Sequence, residues 1–547
     1  MQLTWFAGMG TLDTPEGTRI ARRGRPTAQR RLAPSEHAER LVHAPEIVIG
    51  FVAPSGTDRD LVLGTTRRLL RAVRYDIDVV RLSVLLETRR AARGRPSEAT
   101  TVRGRAWALQ DEGNEFCATA GRKDALAFVA VNEIREARER LHRGRRSEKT
   151  SSDVVPGTAY LIWSLKRPDE VETLRAIYRT RFYLVSVYTP ESARLNRLIQ
   201  DEADQRGHVS PTTDDETEAR RLVERDEKEL KASGDRFGQN VSDTYPLADF
   251  FVDATNTTSL DSSLARAVNI IFGDPFATPT RAEFGMFLAH AAALKSAELG
   301  RQVGAAALTS SGDVLATGTN EVPRARGGHY WHDDEDDDRE FVGGSDTSDR
   351  LKARLIAQVL DTIQGTGTAV SKSVREELEA ALESTRLADL IEFGRPVHAE
   401  MATISDAARN GSPLNGSILY VTTFPCHLCT RLIIATGIER VEYIYPYPKS
   451  LGAELYGRQI NTIRSSTADT GRIPFVPFLG VAPRRYAQAF QAPPSRKTAS
   501  GKAIERHGHS PRLLIEDGTG EWDLSTHIPR EAHALDLARD WLASEPS

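Results

Sequence analysis

Cysteine is scarce: only Cys117, Cys426 and Cys429 occur in 547 residues. That excludes a disulfide-stapled scaffold and fits a reducing compartment, so a cytoplasmic location is expected. Long apolar runs are also missing, since none approaches the ~18 residues of a membrane span. The short apolar start of the chain is followed by charge rather than preceded by it, unlike a secretory signal, and no membrane partner is expected. Charge of one sign is not in excess either. The 72 Lys and Arg residues against 76 Asp and Glu leave a formal net charge of -4, which is not the footprint of a nucleic-acid-coating protein. The local exception is an arginine-rich arm (Arg19, Arg22, Arg23, Arg25, Arg30, Arg31) within residues 1–45, whose composition reads as a disordered basic leader. No internal repeat is found. What is present is 39% hydrophobic and 27% charged residues, a globular balance over a length that predicts two to four domains.

Along the chain, the apolar run Glu46–Val52 predicts a buried strand, and Ala53–Asp58 a turn. Leu61, Leu63, Leu69, Leu70 and Val73 carry helical periodicity, which completes the start of a βα unit. Further strands are predicted at Ala159–Trp163, Arg181–Val187 and Phe250–Asp253, and helices over Asp124–Leu141 and after Pro168. Residues 92–104 and 140–158 read as charged spacers, and 200–234 as a solvated helix or excursion. Strands alternating with helices predict a parallel α/β domain. From about Thr278 the pattern changes: a helix over Arg281–Leu299, a hairpin of Gln302–Leu308 and Val314–Thr317, helical character over 349–390, strands at Ser417–Thr422 and Val441–Tyr445, and a short closing helix.

His398-Ala399-Glu400 followed by Pro425-Cys426-His427-Leu428-Cys429 has the H-x-E…P-C-x-x-C spacing of zinc nucleobase deaminases. Three protein ligands, His398, Cys426 and Cys429, would leave the fourth tetrahedral position open to water, the mark of a catalytic Zn2+, expected once per chain. Both motifs sit where helices should begin, and helix N-termini favour thiolates. The i, i+3 spacing puts both sulfurs on one face of one turn. Glu400, two residues from a ligand and not itself one, is the expected proton carrier. His427, lying between the cysteines, is expected to point elsewhere, as a surface or supporting residue.

Arg301-Gln302-Val303-Gly304-Ala305 and Thr317-Gly318-Thr319-Asn320-Glu321-Val322-Pro323 are similar to the deoxycytidylate deaminase pattern. That resemblance implies a sugar contact for Asn320, and substrate contacts for Arg301, Gln302 and Ala399. More broadly the chain resembles the bacterial anti-phage deoxycytidine-nucleotide deaminases, which fuse a P-loop-kinase-like domain to a deaminase. The similar segments are Gly50–Asp58, Ser164–Val171, Phe237–Asn240, Tyr245–Asp249, Glu283–Met286 and Gly327–Trp331, spanning roughly residues 46–490. The resemblance implies a P-loop-kinase-like parallel sheet over 46–275 and a three-layer α/β/α deaminase domain with a mixed sheet over 278–490, with 491–547 as a loop and helix extension. It implies conversion of dCTP or dCMP to the deoxyuridine form, depletion of the pool during phage infection, a homo-oligomer, and restraint by a small RNA or a nucleotide effector. A deaminase acting on tRNA or single-stranded DNA, and a regulatory switch in which deamination is secondary, are the alternatives.

The turn Gly50–Asp58 sits where a phosphate loop would. Five residues separate Gly50 from Gly56 rather than four, and no lysine precedes Thr57. Gly50, Gly56, Thr57 and Asp58 are therefore candidates for a nucleotide phosphate, with a tight turn in a scaffold as the equal alternative. Lys166 and Arg167 could add positive charge or simply start a solvated helix. Cys117 reads as a small buried hydrophobe. The acidic run Asp333–Asp338 reads as a wet loop, with His329 and His332 beside it. Tyr330 and Trp331 could stack at the site mouth or pack in the core.

Overall fold

Every residue of strand β1, Ile47–Val52, is buried, as a strand must be when helices cover both faces of a parallel sheet. The computed structural model describes residues 44–95, 102–144, 153–232, 237–366, 371–388, 390–447, 449–462, 471–492, 496–503 and 527–543. The arginine-rich arm lies outside the described residues. After β1 come α1 (Arg59–Ala72), β2 (Asp76–Arg81), α2 (Leu82–Ala92), α3 (Val102–Ala120), α4 (Ala125–Gly144), β3 (Thr158–Trp163), α5 (Pro168–Tyr178), β4 (Phe182–Tyr188), α6 (Glu191–Arg206), α7 (Thr213–Ala232), β5 (Phe250–Asp253) and α8 (Thr257–Ile271). The strand order is β2-β3-β1-β4-β5, every neighbouring pair parallel. Alternate residues of the strands enter two separate cores. Val48, Val52, Tyr160 and Ile162 face one; Ile47, Ile49, Phe51 and Leu161 face the other.

Three stretches differ from the expectations. β2 was not foreseen: its sequence Asp-Ile-Asp-Val-Val-Arg is polar because it is the edge strand, with only Val80 buried. Residues 92–104 and 140–158 are not wholly spacer, since α3 begins at Val102 and α4 runs to Gly144. The charged region 200–234 is not simply solvated. α6 and α7 pair through Leu195, Leu198, Ala219, Leu222 and Val223, and Asp215 and Asp226 of α7 are fully buried.

A second sheet follows. It is built from α9 (Arg281–Ala293), β6 (Gly304–Leu308), β7 (Val314–Thr319), α10 (Thr347–Gly365), α11 (Lys372–Glu383), α12 (Ala399–Asn410), β8 (Ile418–Thr423), α13 (His427–Thr436), β9 (Arg440–Tyr445), β10 (Ile460–Asn461) and β11 (Ile473–Pro477). The order is β10-β11-β9-β8-β6-β7, with β6 antiparallel to both its neighbours and the other pairs parallel. Ala305 and Ala307 of β6 face a core shared with Ala399 and Cys429. Ala306 and Leu308 face the opposite core with Met286 and Ala289 of α9. Helices therefore lie on both faces, the three layers expected. The helix expected over 281–299 stops at Ala293, where the chain turns toward the site.

The two sheets are joined. β12 (Gly480–Val481) leaves the second sheet and pairs antiparallel with Phe250 and Phe251 of β5, so the first sheet is mixed rather than purely parallel. Glu283 of α9 accepts a hydrogen bond from the Val481 N–H at 2.9 Å and forms an ion pair with Arg266 of α8. The closing helix α14 (His527–Ala543) docks on the first sheet's helices, with Trp541 edge-on to Phe116 and Phe128. At its start, Glu531 and Glu46 clamp the wholly buried Arg138 of α4, at 2.9 and 3.0 Å. Glu46 also accepts from the Val155 N–H at 2.6 Å and bonds to His527 Nε2 at 2.9 Å. No helix among the described residues is long and apolar enough to cross a membrane.

Candidate metal and acid-base site

Two helix starts converge to make the site. His398 is the N-cap of α12, directly after a short bridge between Val397 and Glu321. Cys426 is the N-cap of α13, and its sulfur accepts a weak hydrogen bond from the Cys429 N–H at 3.4 Å. Pro425 ends the extended segment after β8, held where the Ser450 hydroxyl donates to its carbonyl at 2.8 Å. Packing α12 and α13 on the same face of the sheet brings His398 Nδ1 to 3.2 Å from Cys426 Sγ and 3.4 Å from Cys429 Sγ. The three ligand atoms lie within 4.8 Å of one another.

The donor set fits zinc. Zn–N of about 2.0 Å and Zn–S of about 2.3 Å, set at tetrahedral angles, put nitrogen and sulfur about 3.5 Å apart. The two observed separations are close to that. Ring geometry assigns Nδ1 of His398 as the metal-facing nitrogen. Among the described residues no other His, Cys, Asp or Glu joins the group. His427 stays out of it, as expected: its Nε2 faces Glu392 at 4.0 Å.

Electrostatics suit the chemistry. The hydrogen bond from Cys429 and the His398 ring outweigh burial and hold the Cys426 thiol down at about 4. Glu400, in the first turn of α12, is 4% exposed. Burial and the neighbouring Cys426 charge push its carboxyl up to about 7. A carboxyl poised near neutrality can both take and return a proton.

Other candidates are placed differently. Asn320 accepts from the Val303 N–H at 2.6 Å and donates to the Arg301 carbonyl at 2.7 Å, so its amide fixes the segment leading into β6. Gln302 is exposed and donates to the Ser296 carbonyl at 2.7 Å; Arg301 is exposed. The Ala399 methyl group belongs to the core rather than to an open pocket. Trp331 is exposed, with the Lys295 ammonium 3.6 Å from its ring centre. The acidic run is a surface loop laced to arginines, Asp337 to Arg339 at 2.6 Å and Asp334 to Arg324 at 2.6 Å.

Two site-shaping residues were not singled out from the sequence. Glu298 lies near enough to influence the His398 ring, and its Oε2 is buried without a hydrogen-bond partner among the described residues. It stands four residues before Gln302, where the expected helix continued. Gly318, inside β7, lets α12 press onto the sheet: a Cβ there would come within 2.3 Å of the Ala399 carbonyl and 2.4 Å of the Thr403 N–H. Gly318→Ala is expected to push the start of α12 outward, costing about 1–3 kcal/mol of stability and loosening zinc. Melting temperature and zinc content per chain, measured together, check this; wild-type values for both would refute it.

Residues 279–445 match the family model of the cytidine and deoxycytidylate deaminase zinc-binding region. The deoxycytidylate deaminase of Enterobacteria phage T2 is 43% identical over 54 residues, 10% of this chain and 29% of that protein. A probable deoxycytidylate deaminase of Drosophila melanogaster is 48% identical over 48 residues, 9% of this chain and 23% of that one. The chain thus spans less than a third of the length of these relatives. The solved dCMP deaminase of cyanophage S-TIM5, in complex with dCMP and dUMP, is 18% identical, covering 36% of this chain and 98% of that one with a TM-score of 0.21. Within the matched residues, His398, Glu400, Cys426 and Cys429 come together at the starts of α12 and α13.

Proposed function

We propose that the deaminase domain hydrolyses the 4-amino group of a free deoxycytidine nucleotide, dCMP or dCTP, giving the deoxyuridine form and ammonia. The observation that carries this reading is Glu400, buried and raised toward neutrality, beside the His398, Cys426 and Cys429 group. These three residues would hold zinc, which when bound supplies the Lewis acidity that makes water a competent nucleophile near neutral pH. Glu400 takes the proton of the attacking water, delivers it to the ring nitrogen, and then assists departure of ammonia. Asn320 orders the 301–303 strand entrance against which the sugar would lie.

The first sheet supports a P-loop-kinase-like reading through its βα opening and its parallel order, with the first turn at the strand ends where α/β folds bind ligands. Draining dCTP and dCMP would deny an infecting phage its DNA precursor.

Zinc-loaded full-length protein incubated with dCTP, dCMP, deoxycytidine and CTP, with products resolved by ion-pair chromatography, tests the reaction. Conversion of dCTP or dCMP is expected, lost on chelation and restored by zinc. Activity confined to tRNA or single-stranded DNA would replace this reading with a polynucleotide substrate. An undiminished phage plaque count in cells expressing the active protein would remove the antiviral role.

A further inference from the structure

A guanidinium is costly to bury without a counter-charge or acceptors, and six arginines are buried among the described residues. Five of them are matched. Arg138 lies between Glu46 and Glu531, Arg89 pairs with Glu112, Arg339 with Asp337 and Arg167 with Glu170. Arg194 donates to the Thr189 and Ser55 carbonyls. Lys166, beside the turn after β1, is matched as well, with Asp226 at 2.8 Å. In that turn Gly56 sits at φ +86°, Asp58 caps α1, and Gly50 lies inside β1 against Leu165 and Phe182. Arg181 differs from the other five. It is 7% exposed, its Nη1 has no hydrogen-bond partner, and it forms no ion pair among the described residues.

Arg181 closes the single 3-10 turn Arg179–Arg181 between α5 and β4. Two other arginines, from remote parts of the chain, reach the backbone on either side of it. Arg530 Nε, from α14, donates to the Ile177 carbonyl at 2.6 Å, and Arg485 Nη2, from the turn after β12, donates to the Phe182 carbonyl at 3.0 Å. The neighbouring carboxylates are committed. Glu46 is already bonded to Arg138, His527, Tyr160 and the Val155 N–H. Glu531 faces Arg138 with both oxygens, and Asp249 faces Arg485 and Arg175. Burial lowers the pKa of Arg181; Glu46 opposes this and Arg530 adds to it.

We propose that Arg181 and Arg530 hold a small tetrahedral oxyanion, phosphate or sulfate, beside the start of β4, and that this anion fastens α14 to the first sheet. A guanidinium presents parallel N–H donors that match two oxygens of such an anion. One anion between the two arginines satisfies Arg181, offsets the repulsion of two like charges, and ties the 3-10 turn to the closing helix. The start of β4 is at the opposite end of the parallel sheet from the turn after β1. The inference stands apart from the deaminase reading.

Calorimetric titration of full-length protein with inorganic phosphate, at constant ionic strength in chloride, tests it, with hydrogen exchange over residues 527–543 as a second reading. Wild type is expected to bind one more phosphate per chain than Arg181→Met. Phosphate is expected to slow exchange in α14 by about tenfold in wild type and not in the variant. Phosphate taken up at the deaminase site is present in both proteins and cancels in the comparison. Without phosphate, Arg181→Met is expected to melt no lower than wild type, because it removes a buried cation that had no partner. Arg530→Gln serves if Arg181→Met does not fold, and is expected to weaken phosphate binding by about tenfold. Equal phosphate binding by wild type and a folded variant overturns the proposal. Phosphate binding that depends on Arg181 but leaves exchange in α14 unchanged overturns the fastening of the helix.

Discussion

Glu400→Gln is expected to lower kcat for deoxycytidine nucleotides by about 10⁴-fold, the upper end of what a positioned proton carrier contributes, with zinc content unchanged. The effect is large because one carboxylate serves successive proton transfers, and glutamine fills the same space without carrying a proton. Neither thiol is lost, so the metal group of His398, Cys426 and Cys429 keeps its geometry. The reaction starts from ionised Glu400. Burial pushes this carboxyl up to about 7, so its ionised fraction falls as pH falls through that region; a cation beside it favours the ionised form and moves the limb lower. Wild-type kcat/KM is therefore expected to decline on the acid side, at or below about pH 7, and the glutamine variant to lack that dependence on Glu400. A kcat within tenfold of wild type would remove Glu400 from the chemistry.

Arg138→Met is expected to cost about 3–5 kcal/mol, the usual penalty for deleting one partner of a buried ion pair. Its guanidinium has no exposed surface and separates Glu46 from Glu531. Without it Glu46 and Glu531 are left as two buried carboxylates with no guanidinium between them. Urea denaturation followed by tryptophan fluorescence reads the loss, and adding Glu46→Gln and Glu531→Gln is expected to recover part of it. The same clamp sets an acid limit. Burial alone would raise the Glu46 carboxyl, but the Arg138 charge and the His527 hydrogen bond outweigh burial and hold it well below the usual carboxylate range. A carboxyl depressed in the folded state contributes stability that is present above its unfolded pKa of about 4.3 and is lost as pH falls further toward the folded value. Stability of Glu46→Gln is expected to change less below pH ~4. A wild-type denaturation midpoint for Arg138→Met would show that the clamp contributes little.

The site was legible wherever its chemistry is local. His398 and Glu400 share one helix turn, Cys426 and Cys429 another, and each pair shows in a few adjacent letters. The central strands β1, β3 and β4 were legible for a similar reason, since burial on both faces leaves short unbroken apolar runs. β2 escaped because an edge strand keeps polar residues. Asp226 escaped because its burial depends on Ser55 and Lys166, 171 and 60 residues away, while its helix, dense in Asp, Glu, Arg and Lys, reads as solvated. Asn320 was picked out for a sugar contact, and the sequence did not show that its amide also holds the backbone of residues 301 and 303. Such assignments depend on which segments meet, and single-residue patterns do not carry that information.

The return of the chain to its first sheet also sets the order in which the molecule can be completed during synthesis. The edge of β5 gains its partner only when Gly480 and Val481 have left the ribosome, and Arg138 meets its second carboxylate only when residue 531 has. The first α/β body must therefore wait, with an open strand edge and Arg138 held by Glu46 alone, while more than two hundred residues of the second are translated. Nascent chains arrested before β12 are expected to be the form that chaperones hold, and a stop codon upstream of α14 would leave Arg138 of the N-terminal body without its Glu531 partner.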